Sequence, residues 1–134
     1  MNRLHGVIQA IDSHGSMSLV EIAHNGDRFC AYVVGTPQNC AYLQEGRKVD
    51  LLVKETEVSL ARSPLGCISI GNCFAARVSE VWLGRLLGQV ALDYRGTKVT
   101  AVVGARAIQQ MALQPGEEIL WLIKSTELTL AEAS

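Results

Sequence analysis

Val53–Ala61 reads VKETEVSLA, and Ile123–Ala131 reads IKSTELTLA. The two stretches lie 70 residues apart, with Lys54/Lys124, Thr56/Thr126, Glu57/Glu127, Leu60/Leu130 and Ala61/Ala131 identical in that register. The same offset runs gap-free through most of the chain. It pairs Asn2 with Asn72, Val20 with Val90, Gly26 with Gly96, Ala31 with Ala101, Val33 with Val103 and Gly46 with Gly116. Two copies of one unit of about 60 residues follow: residues 1–62, a linker at 63–68, and residues 69–134. A unit that small is marginal alone, so the copies are expected to pack on each other, on further subunits, or on both.

Composition narrows the class. Hydrophobic residues make up 49% and aromatics only 5%, which suits a compact β-protein built from Val, Leu, Ile and Ala. Twelve Lys and Arg against thirteen Asp and Glu leave a net charge of -1, without the basic face that a long phosphate backbone requires. No nucleic-acid partner is therefore expected. Cys30, Cys40, Cys67 and Cys73 form no CxxC pair, and His5, His14 and His24 follow no ligand spacing, so no directly coordinated metal is expected. No leader precedes the first copy and no apolar run reaches membrane-spanning length. The expectation is a cytoplasmic chain with no membrane insertion.

Each copy reads as short strands. In the first, Leu4–Ile11, Leu19–Ala23 and Arg28–Val34 are strand-like, and Asn25-Gly26 is a hairpin turn that accommodates positive φ. Thr36-Pro37 predicts a short helix to about Leu43, stopped by Gly46. Lys48–Val53 and Thr56–Leu60 complete the copy. The second repeats the plan: Cys73–Val81, Gln89–Asp93 and Lys98–Val103 as strands, Ala105–Leu113 as the helical insert, then Glu118–Ile123. Trp82 and Trp121 are expected to be buried in a barrel or between domains. The predicted class is all-β, two small β-barrel repeats, each with a short helical insert.

The motifs at the ends of each copy resemble a known family. Ser69–Val78 (SIGNCFAARV) is similar to the SARNxLxGxV opening of the Mop, or TOBE, domain, and Ile123–Thr126 (IKST) resembles its IKAS closing motif. The first copy keeps Asn2–Ile8 (NRLHGVI) and Val53–Thr56 (VKET), and Gly15–Ser18 (GSMS) resembles the family's Gly-Ala-Val-Asn loop. The likeness covers nearly the whole chain as a tandem, di-Mop, pair. It implies OB-like barrels that assemble, most often as trimers, and hold molybdate or tungstate between domains, in the manner of storage or homeostasis proteins. The same pair occurs in molybdate transporter ATPases and in molybdate-responsive transcription regulators. A sensing or interaction module, with association to a transporter ATPase, is the alternative implied.

A tetrahedral dianion needs donors on several sides and positive charge, without nearby carboxylates. Turn N–H groups, hydroxyls and lysine supply these. The resemblance implies Ser69, Gly71 and Asn72 from the opening loop, and Lys124, Ser125 and Thr126 from a closing strand. Asn2, Lys54 and Thr56 are their counterparts in the first copy. Gly15, Ser16 and Ser18 form a possible second site. Glu55 stands where the second copy has Ser125, and alternation along a strand would turn it away from Lys54 and Thr56. No catalytic triad, carboxylate pair or phosphate loop is recognisable. An enzyme is not expected, nor is an organic cofactor.

Overall fold

The computed structural model describes all residues, 1–134. Ten strands run in the order β1 (Asn2–His14), β2 (Met17–His24), β3 (Asp27–Val34), β4 (Lys48–Val53), β5 (Ser59–Ala61), β6 (Asn72–Leu83), β7 (Leu87–Tyr94), β8 (Thr97–Gly104), β9 (Glu118–Ile123) and β10 (Thr129–Glu132). The 70-residue register survives into backbone detail. Asn25 and Arg95, at the two hairpin tips, have φ of 49° and 50°, each followed by a left-handed glycine. A bulge interrupts the first strand of each repeat at the same place, between Ile8 and Ala10 and between Val78 and Glu80.

The strands form two five-stranded antiparallel sheets, β10-β4-β1-β2-β3 and β5-β9-β6-β7-β8. The closing strands are exchanged. β5 leaves the first repeat and pairs with β9 of the second, while β10 leaves the second and pairs with β4 of the first. β10 also lies against β3, and β5 against β8, so each sheet curls towards closure as a small OB-like barrel. Each barrel is thus completed by the other repeat. The linker connects β5 to β6, both in the second sheet.

Alternation buries one face of every long strand; in β1 the buried side is Asn2, Leu4, Gly6 and Ile8. Those faces merge into one core running through both barrels. Its centre is aromatic. Phe29 meets Phe74 with ring centroids 4.2 Å apart, and Tyr94 meets Trp121 edge-on at 5.3 Å. Trp121 is fully buried, as expected, but Trp82 is half exposed. It stands near the outer end of the β6–β7 hairpin, beyond the reach of the core.

Two local expectations fail. The second insert is helical, α1 (Ala105–Met111), closed by Ala112 in the left-handed conformation. The corresponding insert of the first repeat forms only turns. There the Thr36 carbonyl accepts from the Asn39 and Cys40 N–H groups at 3.1 and 2.9 Å, and the Asn39 side chain accepts from the Thr36 N–H at 2.9 Å as in a capping box, but the turn is not continued. Asn39, Cys40 and Tyr42 are weak helix formers, whereas the second insert is built mainly of Ala, Arg, Gln and Met. The closing motif is not a strand at Lys54–Glu57 either. Glu55–Glu57 is one 3-10 turn, and Lys124–Leu128 turns in the same way. The alternation argument for Glu55 therefore does not apply.

Candidate functional site

The two lysine-bearing turns have the same construction. Glu57 N–H returns to Lys54 O at 3.0 Å, and Glu127 N–H to Lys124 O at 2.9 Å. The N–H groups of the residues just after each lysine are not used by the turn itself. Lys54, Lys124, Thr56 and Thr126 are exposed. Each turn lies against the other repeat: Tyr32 N–H donates to Ser125 O at 3.1 Å, and the Glu55–Glu57 turn packs on β8.

Opening and closing motifs of the second repeat do meet. Gly71 is so close to Ser125 that a β-carbon there would fall 2.5 Å from the Ser125 hydroxyl oxygen. A larger residue there would have to turn the Ser125 hydroxyl aside, so glycine lets the two motifs touch as they do. Ser69 precedes it on exposed chain. Gly71, Ser125 and the Lys124 turn are thus neighbours, and Ser69 approaches them along the chain.

Asn2 and Asn72 have a different occupation. The Asn72 amide donates to Cys30 O at 3.0 Å and Ile123 O at 3.1 Å, and accepts from Cys30 N–H at 2.8 Å. Asn2 makes the mirror set: Thr100 O at 2.8 Å, Val53 O at 3.1 Å, and Thr100 N–H at 2.8 Å. Each amide acts like an added peptide group, sealing the edge strand of the other barrel. Both N–H donors of each side chain are consumed. The asparagines fasten the barrels together and hold the lysine turns in place. Their identity at equivalent positions was the signal for this role.

Gly15 sits at the tip of the β1–β2 hairpin with φ of 64° and open space around it. Ser16 is exposed, but Ser18 is fully buried. Its hydroxyl donates to Gly35 O at 2.6 Å and lies 2.7 Å from the Ser13 hydroxyl. Ser18 therefore offers no free side-chain donor.

The electrostatics around the turns are mixed. Glu55 lies 2.5 Å from the Met1 amine, which holds its carboxyl below the ordinary range. Glu57 is the opposite case. Contact with Glu127, its equivalent in the other repeat, raises it, as does burial, while Lys54, 3.9 Å away, works against the rise. The two closing turns thus face each other across the junction through a pair of carboxyls, which nothing in the linear sequence announced beyond the repetition of Glu57 as Glu127.

The first repeat also has a polar cluster of its own. Asp50 is fully buried, 2.6 Å from Arg3 and 2.8 Å from His5 Nδ1, with the Ser134 hydroxyl at 3.1 Å. These partners, His5 foremost, hold its carboxyl at about 2. The residues 70 positions on from Arg3, His5 and Asp50 are Cys73, Ala75 and Leu120.

No group of three or more His, Cys, Asp or Glu side chains is arranged to hold a metal ion. No helix is long and apolar enough to cross a membrane.

Comparison with known proteins follows the same lines. Residues 68–130 match the TOBE domain family. The molybdenum import ATP-binding protein ModC of Brucella abortus is 28% identical over 129 residues, as is that of Brucella suis; the match spans 96% of this chain and 33% of theirs. The chain therefore corresponds to about a third of those relatives. Among solved structures, the cytoplasmic molybdate-binding protein ModG, in a form with molybdate bound, superposes with a TM-score of 0.91. That match covers 98% of this chain and 96% of ModG, at 25% identity. The second repeat resembles the TOBE domain, and the chain as a whole resembles the tandem Mop/TOBE proteins in fold and in the order of its repeats.

Proposed function

We propose that this chain is a non-enzymatic binder of molybdate or tungstate, serving storage or homeostasis of these oxyanions in the cytoplasm. One observation carries the reading: a fold match over nearly the full length of both chains to a molybdate-bound protein, with the lysine turn set directly against the opening loop. The proposed site comprises the Lys124 ammonium, the turn N–H groups and hydroxyls of Ser125 and Thr126, and the Ser69–Gly71 segment. Lys54 and Thr56 form the weaker counterpart, since Glu55 replaces the serine. Asn2 and Asn72 position these groups rather than touch the anion. Gly15 and Ser16 supply backbone donors to a second site.

The chemistry suits the ligand. A dianion is held by fixed donors and a mobile ammonium without being coordinated at the metal, and binding needs no cofactor. Open turns leave one side of each site to be closed by a neighbouring subunit, as in the trimer we propose. Ligand held at such a joint favours the assembled state by mass action. The assembling body is the intertwined pair, with 1–62 and 69–134 as its sequence units.

Calorimetric titration with molybdate, tungstate and sulfate tests the reading. Saturable heat with the first two and little with sulfate is expected. No saturable heat with any of the three contradicts it. The match to a third of the ModC chains supports a second reading, in which the pair is the accessory module of a transporter ATPase. That reading predicts stable co-purification with an ATP-binding subunit and a mass unaffected by oxyanion.

A further inference from the structure

Resting on the oxyanion-binding reading of the two turns, we propose that the Glu57–Glu127 carboxyl pair takes up one proton when the Lys54 turn fills. That turn therefore holds its dianion more tightly as the pH falls. The two turns are alike in backbone and unlike in charge. In each, a glutamate three residues after the lysine closes the turn, Glu57 N–H to Lys54 O and Glu127 N–H to Lys124 O. The Lys54 ammonium lies 3.9 Å from the Glu57 carboxylate, whereas Lys124 has no ion-pair partner. Lys124 is free to meet an anion, and Lys54 is already held by one of the chain's own.

Glu57 also touches Glu127, and its side chain is only 25% exposed. Two carboxylates so close and partly buried keep both charges only with a cation at hand, and Lys54 is that cation. Drawing its ammonium on to a dianion removes this support and adds negative charge beside the pair. Glu57 then binds a proton, and its O–H donates to the Glu127 carboxylate. The coupling is reciprocal, so a proton on Glu57 releases Lys54 for the anion. Contact with Glu127 and burial already raise Glu57 above its ordinary 4.5, and a bound dianion raises it further. Affinity is therefore lowest above the bound-state value, rises as the pH falls between the two values, and levels off below the free-state one.

The other charged groups nearby are otherwise engaged. Glu55 is paired with the Met1 amine. β8, which packs on the first turn, carries Lys98 as its one charged side chain, and Lys98 lines a hollow with Glu80 and Asp93. β3, bonded to the second turn through the Tyr32 N–H, carries Asp27 and Arg28, which pair with Arg95 and Glu21. The Cys30 thiol on the same strand is pushed up by burial.

Calorimetric titration of the full chain with molybdate, in buffers of different ionisation heat and from about pH 8 to about pH 5, counts the protons taken up. Wild type is expected to take up as much as about one proton per chain, with affinity at the Lys54 turn gaining up to about tenfold per pH unit. Glu57→Gln is expected to bind at the alkaline end as tightly as wild type does in acid, with no uptake. Lys54→Ala is expected to lose the uptake and keep binding at Lys124. Circular dichroism melts show that each variant is folded. Glu127→Gln, which lowers Glu57 and reduces the uptake, serves if Glu57→Gln does not fold. Saturable binding by wild type without proton uptake overturns the coupling and leaves the proposed function standing. Uptake that persists in Glu57→Gln or Lys54→Ala puts the proton elsewhere and also overturns it. No saturable heat at any pH overturns both.

Discussion

The seam between the two barrels and their outer faces follow different rules. At the seam the repeats are interchangeable: Asn2 does to Thr100 what Asn72 does to Cys30, with matching distances. On the outside they have little in common. One repeat buries Asp50 under Arg3 and His5 where the other has Leu120, Cys73 and Ala75, and one hairpin tip is polar where the other is apolar. What strand exchange and the sealing of barrel edges demand recurs every 70 residues. What the barrel does not need is free to differ.

Breaking the seam should have the largest effect. Asn72→Ala leaves Cys30 with an unpaired N–H and carbonyl in a partly buried place and should cost about 2–3 kcal/mol. Asn2→Ala should cost a similar amount, because Thr100 loses the same pair of bonds. Urea denaturation of both variants measures this; two negligible losses would mean that the seam is held by the aromatic core alone.

The asymmetric cluster comes next. The Asp50 carboxyl is depressed from 3.8 to about 2 in the fold. Its contribution is therefore present above pH 3.8 and is lost as the pH falls towards 2. Asp50→Asn should lower stability at neutral pH and flatten that acid limb in a melting-temperature profile. Leu120→Ile, at the matching position of the other repeat, should leave the limb unchanged.

Much of this organisation was legible beforehand. The 70-residue repeat sets out the strand plan, and Asn25-Gly26, with Gly96 as the repeat partner of Gly26, marks both hairpin tips. The exchange of β5 and β10 was not legible, because SLA and TLAE fit the edge of either barrel and alternation names no partner strand. The first insert departs from the helix expected because Thr36-Pro37 starts a single turn that the weak helix formers Asn39, Cys40 and Tyr42 do not extend. Lysines 54 and 124 stand out by repetition, but their turn conformation depends on packing against the other repeat. The asparagines shared the lysines' repetition and looked like ligand donors until their amides were found bonded across the seam.

The lysine turns provide the next contrast. Lys124→Ala should weaken molybdate binding about tenfold, or about 1.4 kcal/mol. Lys54→Ala should weaken it less, because Glu55 already compromises that turn. Calorimetry on the two variants ranks the sites; equal losses would mean that the Glu55/Ser125 difference has no bearing on the ligand.

The smallest effect belongs to the carboxyl pair. Glu57 is raised by Glu127, so in its ionised form it opposes folding, and that opposition fades as the pH falls through its raised value. Glu57→Gln should therefore raise the melting temperature slightly at neutral pH and make no difference in acid. A lower melting temperature at neutral pH would show that the Lys54 contact outweighs the repulsion.

The central claim is that the lysine turns and opening loops of this intertwined pair enclose an oxyanion. Anomalous diffraction from crystals grown with molybdate tests it most directly. The account predicts a metal peak beside Lys124, Ser125 and Gly71, with a weaker one beside Lys54. Saturating molybdate with no peak at either turn would contradict it.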